Sequence, residues 1–197
     1  MTYRLGLDAS IRAPSCAIST MDGTILSVAV ANKPVEDYSK VIREALDIAN
    51  ARLDEIEEIV ANVGPGSHTG VRATVTTANA LALALQIPVT GVLSLDALAV
   101  SIGRFDSQYF AIPAGKGNWH LANYTWRDEE LLRLGEMQLV SELPINALFA
   151  LETDDSELCA MFDARHGLIV ATHHRHLATQ LLVQELTSHE RGKDNDF

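Results

Sequence analysis

The stretch Ile59–Leu98, IVANVGPGSHTGVRATVTTANALALALQIPVTGVLSLDAL, decides the fold. It reads as a buried strand (Ile59–Val63), a glycine loop (Gly64–Gly70), a helix (Val71–Gln86) and a second strand (Ile87–Val92). A strand, a glycine-rich turn and a helix that opens at the turn form half of a parallel crossover unit. Pro65 fixes φ and removes a donor, and Ser67 and Thr69 are placed to cap the first N–H groups of the helix. A helix start of this kind can hold an anion, or the loop can be a tight connection and nothing more. It carries no Walker lysine.

The helix tells more than the loop. Its apolar residues include six in a row, Ala80–Leu85, so its second half has no polar face. A helix apolar all round is buried on more than one side. One side should cover the sheet, and the other calls for a second element or another chain.

Upstream, Tyr3–Ala9, Ser15–Thr20 and Thr24–Val30 read as three strands, the last two joined by an MDG turn. Pro34–Leu53 is an amphipathic helix with an apolar stripe wider than one core face requires, and DEIEE breaks the pattern before Ile59. The order predicts an α/β fold, a mixed five-stranded sheet with helices on both faces. Ser94–Ile102 reads as a short helix capped by Ser94 and closed at Gly103, and it marks a lobe boundary. Strands are expected at Tyr109–Ile112 and Trp119–Trp126 around a PAGKGN turn. Mixed short elements follow to Leu186, ending in a helix over Ala178–Leu186, and a polar tail over 187–197 is expected to fray.

GPGSHTGVRATVTTANALALALQIPVTGVLSLDAL, with LGLDAS near the start, resembles the signature of the TsaB (YeaZ) family across the first half of the chain. The resemblance implies an actin-like (ASKHA) two-lobed fold, with residues 1–100 as the N-terminal lobe and 101–186 as a smaller, divergent one. In that superfold an Asp in the first strand helps organise a metal, and the first hairpin turn faces nucleotide phosphates. Asp8, Ser10, Gly66, Ser67, His68 and Thr69 are therefore candidate anion or nucleotide contacts, although Asp8 equally suits a turn start. Two departures stand out. PAGKGNWHLANY replaces the family's DARxGEVY, putting Pro113 and Gly115 at the Asp and Arg positions, and His68 replaces the usual Phe.

The resemblance also implies a role. TsaB proteins are inactive paralogues that dimerise with TsaD through two helices and support threonylcarbamoylation of the adenosine beside the anticodon of ANN-reading tRNAs. A non-catalytic scaffold is expected, in a heterodimer with a TsaD-type paralogue and an assembly that includes a TsaE-type ATPase. ATP or ADP would belong to that assembly, with no cofactor in the isolated chain. The interface residues implied are Tyr38, Val41, Ile42 and Ala45 on the first helix, with Val71, Thr74, Val75, Ala78, Leu81 and Ala82 on the second. A homodimer through the same helices is the alternative assembly.

Composition narrows the classes. The chain has 197 residues and a net charge of −11, which opposes unaided binding to nucleic acid, so tRNA is expected to be reached only through partners. No run of about 18 apolar residues suggests a membrane span. MTYRLGLDAS lacks a signal-peptide pattern, and Cys16 and Cys159 form no CxxC, as suits a reduced, cytoplasmic protein. His173 and His176 share a face in THHRH, but no carboxylate or cysteine stands at matching spacing, and no metal site is expected. No HxxxH pair occurs, and no Ser or Cys nucleophile pairs with a His and an acid at a recognisable spacing. The rival reading is an enzyme, an actin-fold ATPase or glycopeptidase using Asp8 and the Gly64–Gly70 loop.

Overall fold

Two sheets organise the chain, in a computed structural model that describes residues 2–11, 13–31, 38–144 and 147–149. The first holds β1 (Tyr3–Asp8), β2 (Ser15–Thr20), β3 (Ile25–Val30), β4 (Ile56–Asn62) and β5 (Val89–Val92) in the order β3-β2-β1-β4-β5. The β1–β2 and β2–β3 pairs are antiparallel, while β1–β4 and β4–β5 are parallel. This is the mixed five-stranded sheet of the actin-like fold, as expected.

Alternation along the strands explains why both faces carry helices. Leu5, Leu7, Cys16, Ile18, Ile59 and Ala61 point one way, toward α1 (Tyr38–Ala49) and α2 (His68–Leu85). Ala17, Val60 and Val92 point the other way and meet Ala97 of α3 (Ser94–Ile102). β4 begins three residues before the expected start. The DEIEE segment forms a 3₁₀ turn at Leu53–Glu55 and then enters the strand, where buried Glu58 meets Arg4 of β1 at 2.7 Å. The Glu58 charge is paired across the sheet.

The second sheet holds β6 (Gln108–Gly115), β7 (Asn118–Arg127), β8 (Glu130–Val140) and the short β9 (Leu148–Phe149), in the order β8-β7-β6-β9. Leu95, Leu98 and Ala99 of α3 pack on Phe110, Ile112, Ala122 and Tyr124. Phe110 and Tyr124 meet edge to face, with ring centroids 5.8 Å apart. One short helix thus belongs to both cores. The eleven-residue β8 replaces the mixed short elements expected there. Its hairpin turns at Asp128 and Glu129, both at positive φ, a conformation that sequence signals assign to Gly or Asn.

Cys159, His173, His176, the expected helix Ala178–Leu186 and the tail 187–197 lie outside the described residues. Among the described residues no helix is long and apolar enough to cross a membrane.

Candidate functional site

The glycine loop sits where β1 and β4 end. β1 closes on Asp8, whose Oδ1 accepts the Ser10 N–H at 3.1 Å, and whose side chain is buried. That is the turn-starting arrangement. Asn62, the last residue of β4, is fully buried and gathers three elements. Its Oδ1 accepts the Gly64 N–H and the Ser94 hydroxyl, each at 2.7 Å, and its Nδ2 donates to Ser10 Oγ at 3.1 Å. Ser94 therefore does not cap α3; its hydroxyl points back to Asn62, and the cap position, Leu93, makes no side-chain bond.

The loop's own donors are largely used within the fold. The Ser67 N–H goes to the Ser10 carbonyl, and the Val71 N–H to the Ser67 carbonyl at 2.8 Å. Ser67 Oγ accepts the Gly70 N–H at 3.2 Å, the capping role expected of it, whereas Thr69 lies exposed inside the helix. The loop is pressed against the β1–β2 turn. A Cβ at Gly66 would stand 2.2 Å from the Ser10 carbonyl oxygen, and one at Gly70 would stand 1.8 Å from that of Ala9. Glycine is required here by close approach.

A cavity of about 340 Å³ opens beside the loop. Ser10, Ile11, Gly66, Ser67 and His68 form one wall, and residues 112–115 at the end of β6 form the other. Asp8 is not in the lining. Among the described residues no group of three or more His, Cys, Asp or Glu side chains could hold a metal ion.

The two helices correct the expected partner surface. Tyr38, Val41, Ile42 and Ala45 are buried against the sheet, as are Thr74 and Ala78. The Tyr38 hydroxyl meets Thr74 Oγ1 at 2.7 Å and so ties α1 to α2 inside the fold. Burial, and then the nearby Asp8 charge, push the Tyr38 phenol above its usual range. These six residues pack inside the chain's own core or between its two helices and the sheet. Val71, Val75, Leu81 and Ala82 are half-buried flanks. The exposed side of α1 is mostly polar and charged, with Ile48 the apolar exception.

The exposed side of α2 is different. Thr69, Ala73, Thr76, Ala80 and Leu83 recur at alternating intervals of four and three residues, all exposed, and Leu83 keeps 83% of its surface. That spacing places the five residues on one stripe of the helix, with Arg72 and Asn79 exposed beside it. Sequence reading missed it because alanines fill both faces of this helix, so hydropathy could not say which side was spare. Asn62 and the 112–115 wall were also missed, since their roles come from long-range contacts that no local motif reports.

Comparisons with known proteins agree with this architecture. Residues 28–141 match the family model described as "TsaD: tRNA N6-adenosine threonylcarbamoyltransferase". The chain is 39% identical over 75 residues to the tRNA threonylcarbamoyladenosine biosynthesis protein TsaB of Bacillus subtilis, an alignment covering 38% of this chain and 33% of that protein. It is 28% identical over 116 residues to the tRNA N6-adenosine threonylcarbamoyltransferase of Geotalea uraniireducens, covering 57% of this chain and 34% of that one. The chain thus spans about a third of the length of the curated relatives it matches. Among solved structures, YeaZ from Pseudomonas aeruginosa superposes with a TM-score of 0.71 at 25% identity, covering 98% of this chain and 94% of that one. The sheet order, the glycine loop packed on the first turn and the family match over residues 28–141 agree: this chain belongs to the TsaD-like family, on its TsaB (YeaZ) branch.

Proposed function

We propose that this protein is a non-catalytic scaffold that pairs with a TsaD-type paralogue and supports formation of N6-threonylcarbamoyladenosine in tRNA. The carrying observation is the outer face of α2, where Ala73, Thr76, Ala80 and Leu83 stand exposed on a rigid helix next to the sheet. Small side chains at a 3.5-residue repeat suit close packing against a partner helix at a shallow angle. An interface of standard size would bury about 1,600 Å² in total. The partner supplies the tRNA contact, because a chain with a net charge of −11 repels phosphate. A TsaE-type ATPase joins the same assembly and brings the nucleotide.

The non-catalytic part of the reading rests on the loop. The Gly64, Ser67, Gly70 and Val71 N–H groups are all engaged inside the fold, and among the described residues the cavity lining contains no Lys, Arg, Asp or Glu. Phosphoryl chemistry needs charge to stabilise a transferring group, and the described residues of this lining supply no fixed charge. Depleting this protein in its own organism should lower the modified nucleoside in bulk tRNA, read by mass spectrometry of nucleoside digests. An unchanged level in depleted cells would remove the assignment to this pathway.

A further inference from the structure

The cavity beside the glycine loop is built from both sheets, and its two walls differ in character. Ser67 and His68 give one wall a polar edge. Ile112, Pro113 and Ala114 give the other an apolar surface, and Ile11 adds to the apolar lining. Its volume of about 340 Å³ lies within the range of small-molecule sites. Among the described residues, His68 is the one titratable side chain in the lining. A charged ligand entering it would lose water and meet no fixed opposite charge among the described lining residues. At the start of α2, Ser67 Oγ and the Ser10 and Ser67 carbonyls already hold the Gly70, Ser67 and Val71 N–H groups. We infer that this cleft binds a small uncharged organic molecule with an apolar body and one hydrogen-bonding edge. The apolar body lies on Ile112, Pro113 and Ala114, and the polar edge faces Ser67 and His68. The inference is independent of the scaffold role and of the α2 face.

Three probes of nearly one shape and different charge test it: benzamide, benzoate and benzamidine, titrated into the full ¹⁵N-labelled chain. Benzamide should give saturable shifts at the amides of Gly66–His68 and of Ile112, Ala114 and Gly115, and the two ions should bind about tenfold more weakly or worse. Ala114→Phe and His68→Trp fill the cleft from opposite walls. Each should abolish the benzamide shifts while leaving the spectrum of the first sheet unchanged, so one variant decides should the other not fold. Tighter binding of benzoate than of benzamide would make this an anion site and overturn the inference. So would the absence of saturable shifts with any probe, or benzamide binding that survives in a folded filled variant.

Discussion

Ser94, the first residue of α3, donates its hydroxyl to Asn62 Oδ1 at 2.7 Å and so fastens the helix shared by both sheets to the end of β4. The same Asn62 holds Gly64 and Ser10, so the glycine loop, the β1–β2 turn and α3 share one buried amide. Asn62→Ala leaves these partners unpaired in a site without water access, and should lower unfolding free energy by about 2–3 kcal/mol. Urea titration measures it. A loss below about 0.5 kcal/mol would mean that the three elements hold position without it.

The buried pair Arg4–Glu58 makes a contrast of signs. Glu58 takes the Arg4 Nε at 2.7 Å and the Thr90 hydroxyl at 3.1 Å. Glu58→Ala strands a buried guanidinium and should cost about 3–5 kcal/mol, whereas the joint change Arg4→Met with Glu58→Leu should be close to neutral. Equal losses in both, seen by thermal or urea unfolding, would show that Arg4 is solvated once its partner goes.

Gly70 sets propensity against packing. Alanine in a helix is favoured over glycine by about 1 kcal/mol. Here the new methyl would stand 1.8 Å from the Ala9 carbonyl oxygen, a backbone atom that cannot swing aside. Overpacking of that kind costs about 1–3 kcal/mol or more, so Gly70→Ala should be net destabilising. A gain in melting temperature would show that α2 can lift from the turn.

His120 gives a pH dependence. Burial holds its pKa below the usual histidine value. The unfolded chain therefore binds the proton more readily, and stability falls as pH drops through about 6.5 toward the folded-state value. Above that window His120 is neutral in both states and contributes no slope. His120→Gln should flatten the stability profile between pH 7 and 5 relative to the parent chain, with no difference above pH 7. Parallel profiles would place the imidazole in solvent.

The fold was largely legible because its signals are local. β2 and α3 stand where the strand and helix patterns put them, and the glycine loop marked the crossover. What escaped depends on contacts distant in sequence. DEIEE reads as a break before the strand, yet Glu58 lies inside β4, paired with Arg4 fifty-four residues away. Ser94 looked like a cap because Ser before an apolar run usually is one. Of the ten residues expected at a partner surface, the chain buries Tyr38, Val41, Ile42, Ala45, Thr74 and Ala78 for itself and leaves Val71, Val75, Leu81 and Ala82 half-buried. Ala78 is fully buried, so Ala78→Glu would unfold the monomer and say nothing about association, while Ala80, two residues on, is exposed.

That neighbouring pair also frames the decisive measurement, which is sedimentation velocity of this chain mixed with the TsaD-type paralogue of its own organism. The wild-type chain should form a mixed dimer. Ala80→Arg should remain folded and lose association by about tenfold or more, by burying an unpaired charge at the α2 seam. A mixed dimer formed by Ala80→Arg at wild-type affinity, or no mixed dimer with the wild-type chain, would contradict the account.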